Sequence, residues 1–135
     1  MPLIEWNQEL AVGIEAIDKQ HKRLVNLINM LHDSMKIGKG REVLGEVLNE
    51  LTDYTVYHFD TEEKLMLKYE YPSYASHKKE HEKLTDQVKE IKTKFEEGDT
   101  VLTVEFMGFL RDWLSNHIVK VDKKYSDFLN SKGVH

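Results

Sequence analysis

Seven side chains of this chain have the type and spacing to hold two metal ions: His21, His58, Glu62, His77, His81, His117 and Asp122. Imidazole suits iron, and carboxylate suits hard cations. His58 and Glu62 are four residues apart, as are His77 and His81. On an α-helix four residues advance about 400° and about 6 Å, so each pair stands one above the other on one face. His117 and Asp122 are five residues apart. Five residues turn about 500°, which leaves Asp122 about 140° away from His117. It reaches a shared site only from the side or through a local distortion such as a π-bulge. Of the seven histidines, only His32 and His135 fall outside the pattern. His32 lies eleven residues past His21, about 16 Å along the helix axis, and His135 sits in the terminal tail.

Four amphipathic helices must position these residues. The first starts near Asp18, a good N-cap residue, and stops before Gly38, with the apolar stripe Leu24, Leu27, Ile28, Leu31, Met35. The second runs from about 41 to 68 with Leu44, Leu48, Leu51, Thr55, His58, Glu62 and Leu65 on its stripe. The third runs from about 73 to 97 with Tyr74, His77, His81, Leu84, Val88, Ile91 and Phe95. The fourth runs from about 103 to 130 with Phe106, Leu110, Trp113, His117 and Val121. Short connections make neighbouring helices antiparallel. The expectation is an all-α fold, an up-down-up-down antiparallel four-helix bundle with a short N-terminal arm. It forms one domain over residues 1–135, the arm being 1–17, pinned by Trp6, and the bundle 18–130.

Composition bounds the function. A chain of 135 residues is one domain in size. It has no cysteine, which excludes thiolate metal sites, disulfides and cysteine nucleophiles. The net charge is −5, with acids and lysines interspersed, so no footprint for nucleic acid or an anionic membrane is present. No apolar run approaches the ~18 residues of a membrane span, and the N-terminus does not read as a signal peptide. A cytoplasmic protein is expected.

The candidate ligands share their helix stripes with Leu, Val and Ile. Burying a carboxylate or a bare imidazole costs several kcal/mol unless it is paired. Metal ions remove that cost for all of them at once. Together His21 within I-D-K-Q-H, H-F-D-T-E from His58 to Glu62, H-K-K-E-H from His77 to His81 and W-L-S-N-H-I-V-K-V-D from Trp113 to Asp122 resemble the hemerythrin family over nearly the whole chain. The stand-alone prokaryotic branch is the most similar. The family uses the H-x4-D spacing that helix geometry leaves open.

The resemblance implies two non-haem iron ions per chain. His77, His81 and His117 would cap one ion, and His21 and His58 would bind the other. Glu62 and Asp122 would bridge them together with an oxo or hydroxo group. Two six-coordinate ions sharing three bridges and five imidazoles keep one position free, which is what a gas ligand requires. The implied function is reversible dioxygen binding, for storage, scavenging or delivery to an oxygen-consuming enzyme, rather than catalysis. Leu24, Trp113, Leu114 and Ile118 match the family's apolar oxygen pocket. The alternatives are a di-iron oxidase or reductase acting on oxygen, peroxide or nitric oxide, and an oxygen-sensing module. Tyr57 and Tyr74 are candidates to hydrogen-bond the ligand imidazoles.

Overall fold

The computed structural model describes residues 3–36, 41–98 and 104–135. Four antiparallel rods form the molecule: α1 (Glu15–Lys36), α2 (Arg41–Lys68), α3 (Tyr74–Glu96), and a fourth rod in three parts, α4 (Val104–Asn116), a π-helical turn (His117–Asp122) and α5 (Lys123–Ser131). No strand occurs among the described residues. α1 packs on α2, α2 on α3 and α1 on α4, the up-down-up-down order that short connections favour. Among the described residues, no helix is long and apolar enough to cross a membrane.

The stripes read from the sequence are mostly the buried faces. Leu24, Leu27, Ile28 and Leu31 from α1 meet Leu48 and Leu51 from α2, Leu84, Val88 and Phe95 from α3 and Leu110 from α4 in one core. Met35, Leu44, Leu65 and Tyr74 are half-buried at its edges. Thr52 and Thr55 are buried, but each hydroxyl donates to a carbonyl four residues back, at 2.8 and 2.7 Å, so neither is left unpaired. Gly98 closes α3 with φ +80°, where a Cβ would be strained.

Two expectations change. α1 begins at Glu15 rather than near Asp18. Asp18 is not its cap; its carboxylate accepts the Val12 backbone N–H at 2.7 Å and ties the arm to the first turn. The arm is also held by Asn29, whose amide accepts from the Ile4 N–H at 2.9 Å and donates to the Ile4 carbonyl at 2.8 Å. Ile4, Leu10, Val12 and Ile14 are buried, so the arm is part of the core. Trp6 is half-buried, with the Lys22 ammonium 5.3 Å from its ring centre.

The second change lies in the fourth rod. The stripe does not continue from His117 to Val121, which is half-buried. It restarts at Asp122 and runs on through Tyr125 and Leu129, all fully buried. The π-helical turn absorbs the extra residue: the Lys123 N–H donates to the Ile118 carbonyl five residues back. Hydrogen bonds of that step bring residues five apart onto one face.

Candidate metal centre

α1 supplies His21, α2 His58 and Glu62, α3 His77 and His81, and the π-helical turn His117 and Asp122. All seven side chains are buried, and Glu62 and Asp122 are fully so. Their ligand atoms form two groups, each with its atoms within 4.8 Å of one another. One group is His77, His81, His117, Glu62 and Asp122; the other is His21, His58, Glu62 and Asp122. The two carboxylates belong to both. Asp122 Oδ1 lies 3.0 Å from His77 Nε2 and 2.9 Å from His117 Nε2, while its Oδ2 lies 3.2 Å from His21 Nε2. Glu62 Oε1 lies between His58 Nε2 at 3.2 Å and His81 Nε2 at 3.3 Å.

The hydrogen bonds of the outer ring nitrogens decide what fits between these atoms. His58 Nδ1 donates to Gln20 Oε1 at 2.7 Å, and His81 Nδ1 to Glu63 Oε2 at 3.0 Å. His117 Nδ1 faces Glu80 Oε2 at 3.4 Å. A neutral imidazole that donates from Nδ1 keeps a bare lone pair at Nε2. In this cluster those lone pairs point at carboxylate oxygens, lone pair against lone pair. Nε2 of His21, His77, His81 and His117 and both oxygens of Asp122 have no hydrogen-bond partner. A cation among them reconciles the geometry, either a proton on an imidazole or a metal ion shared by several of these atoms, and the donor set suits iron.

Electrostatics agree. Burial alone would lower the His21 pKa, but Asp122 and Glu62 outweigh it and raise it from 6.5 to about 10. Burial likewise opposes the charge on His81, and Glu62 and Glu63 overcome it, raising its pKa to about 9. Burial pushes the Glu62 carboxyl up, yet His58, His21 and His81 hold it well below the ordinary range. Burial and Glu62 push Asp122 up, and His117 and His21 hold it far lower. The cluster attracts positive charge strongly enough to take up protons, and metal ions compete for the same places.

Other residues shape the site. The fully buried Tyr125 hydroxyl donates to Glu62 Oε2. Burial and then the charges of Glu62 and Asp122 push its pKa well above 10, so it stays a donor. Phe59 stacks on His81 at 3.8 Å between centroids, and Trp113 on His117 at 4.4 Å. Tyr57 and Tyr74 do not take the expected role: Tyr57 is exposed, and Tyr74 stands under the Lys78 ammonium. Gln20, Glu63 and Glu80 each adjoin a ligand or lie within a turn of one, a signal that marks neighbours but not partners. Tyr125 follows Asp122 by three residues and was legible only once Asp122 was known to face inward.

An apolar cavity of about 20 Å³ is lined by Leu24, Leu51, Phe59, Leu110, Trp113 and Leu114 among others, and it meets the cluster through Phe59 and Trp113, which stack on His81 and His117. That is room for one water-sized guest. Three of the four residues expected to form the gas pocket line it. Ile118 is fully buried but is not part of the lining.

Comparison with known proteins places this geometry among others. Residues 12–129 match the hemerythrin HHE cation binding domain family. A bacteriohemerythrin of Methylococcus capsulatus is 39% identical over 132 residues, 97% of this chain and 100% of that protein. A bacteriohemerythrin of Pseudomonas paraeruginosa is 42% identical over 94% of this chain and 82% of its own. The crystal structure of a wild-type hemerythrin superposes with a TM-score of 0.89 at 39% identity, covering 93% of this chain and 96% of that one.

Proposed function

The chain belongs to the hemerythrin family, whose members bind oxygen at a di-iron site, and we propose that it does so reversibly with the seven buried side chains described above. The observation that carries this reading is the sharing of Glu62 and Asp122 between two groups of ring nitrogens that have no other partner. His77, His81 and His117 would hold one iron, His21 and His58 the other, with the two carboxylates between them and an oxo or hydroxo group completing the bridge. Two bound iron ions would supply the electrons that dioxygen binding requires.

The protein's part is to hold, orient and exclude. Two carboxylates offset part of the positive charge that would otherwise be buried uncompensated. Gln20 and Glu63 fix the ring orientation of His58 and His81, and Tyr125 fixes Glu62. Leu24, Trp113 and Leu114 offer an apolar wall with room for a small neutral molecule, and Ile118 adds bulk beside His117. Such a wall keeps external proton donors away, so the gas leaves as it came.

The set holds two carboxylates against five imidazoles. Oxygen-activating bundles use Glu-x-x-His pairs and more carboxylates, which favours carriage over turnover here. The role would be storage, scavenging or delivery, with an oxygen-consuming enzyme as recipient, and we place it in the cytoplasm as a single domain.

Titrating the anaerobic ferrous protein with dioxygen and then degassing it tests this reading. Recovery of the ferrous spectrum over repeated cycles is expected. Stoichiometric oxidation that degassing does not reverse would replace the carrier by an enzyme or a sensor.

A further inference from the structure

The two halves of the cluster differ outside the ligands. On the three-histidine side, His81 is backed by the Glu63 carboxylate at 3.0 Å and His117 by Glu80 at 3.4 Å. On the two-histidine side, His58 is backed by the neutral amide oxygen of Gln20 at 2.7 Å; His21 Nδ1, like His77 Nδ1 on the other side, has no hydrogen-bond partner. Gln20 is itself buried, and its amide nitrogen makes a long contact of 3.5 Å to Thr61 Oγ1. A carboxylate that accepts an imidazole N–H raises the donor strength of the opposite nitrogen, and an amide does so far less. Glu63 is only 19% exposed, against 47% for Glu80, so Glu63 is screened less and contributes more.

We propose that Gln20 widens the inequality that three histidines against two already set between the metal positions, so that the His21–His58 position is the weaker, the more exchangeable and the last to fill. The inference rests on the di-iron reading and adds an order of loading to it. Charge explains why a neutral residue belongs there. Two ferrous ions, Glu62, Asp122 and a hydroxide sum to +1. Glu63 and Glu80 bring the total to −1. A third outer acid would bury a further negative charge beside His58, which raises the metal affinity of that position.

Titrating metal-free protein with cobalt(II) tests the proposal, because the cobalt spectrum reports each position without redox chemistry. Wild type should take up two equivalents in two resolved steps, and His58→Ala should lose the second step while keeping the first. Gln20→Glu should tighten the second step about 10-fold or more and leave the first nearly unchanged. Gln20→Met, which keeps the length but not the acceptor, should weaken the second step by about 10–100-fold. Glu63→Gln should weaken the first step instead. A merely structural Gln20 would make both substitutions weaken binding, so tightening by glutamate is the discriminating outcome. If Gln20→Glu does not fold by circular dichroism, the Gln20→Met and Glu63→Gln pair decides. Two equivalents bound in one step, or Gln20 variants that leave both steps alone, would overturn the proposal while leaving a two-metal site intact. One equivalent or none in wild type would instead remove the di-iron reading on which it rests.

Discussion

Tyr125 donates to Glu62 while its ring stands edge-on to His77, 5.1 Å between centroids. Tyr125→Phe keeps the ring and removes only the donor. A hydrogen bond to a buried charged group contributes ~1.5–3 kcal/mol, so denaturant unfolding should show the variant less stable by about that amount. It should also release metal to a chelator about 10–100-fold more readily. Wild-type values for both would mean that the bond orients nothing. Leu114 and Ile118 separate two ways of being buried near the site. Leu114→Asn places an amide in the cavity wall, where it can recruit a water and a proton. The oxygen-bound spectrum should then decay about tenfold faster, the equivalent of ~1.4 kcal/mol off the barrier, at unchanged iron content. Ile118→Asn, outside that lining, should change the decay rate less. Equal acceleration in both variants would place the gas elsewhere.

The π-helical turn is the element on which the fourth rod depends. It lets His117 and Asp122 share a face and carries the new register on to Tyr125 and Leu129. Deleting the exposed Lys120 would leave an ordinary α-helix with His117 and Asp122 four apart. The downstream register would survive, and the variant should stay folded and helical. Inserting one alanine after Lys120 has the opposite consequence. It turns Asp122, Tyr125 and Leu129 about 100° from the core, and should abolish iron binding and lower the melting temperature. Iron content and thermal melts by circular dichroism report both. Similar behaviour of the two variants would show that register through this turn is not what delivers Asp122.

For the whole molecule, the cluster links metal, protons and stability. In the metal-free protein His21 and His81 titrate near 10 and 9 instead of 6.5. Groups with raised values stabilise the fold fully below pH 6.5, and that contribution is lost as the pH rises through 9 to 10. Glu62 and Asp122 have lowered values, so their contribution is present above about pH 4.5 and is lost in acid. The metal-free protein should therefore be most stable between about pH 5 and 6.5 and lose denaturant midpoint steadily to pH 10. The iron-loaded protein should lose much less over that alkaline range, because the cations replace the protons. Midpoints at pH 6, 8 and 10, with and without metal, check this. A metal-free midpoint that climbs from pH 6 to 9 would contradict it.

The four helices, their buried stripes and the paired ligands on α2 and α3 were legible in the sequence because they depend on local periodicity. A four-residue spacing stacks two side chains wherever the helix sits. Asp122 was different. Its five-residue step from His117 is off-face in an α-helix, and only packing of Tyr125 and Leu129 into the core shows that the backbone widens there. The start of α1 moved for a similar reason, since Asp18 had a backbone partner in the arm that only folding brings near. The partners of the ligands were decided by tertiary structure altogether. Gln20 reaches His58 across 38 residues of chain, and Tyr125 reaches Glu62 across 63. Such contacts depend on the rotation of one helix against another, which no single helix encodes. Sequence determined which residues could bind metal; the bundle decided which neighbours hold them, and with what charge.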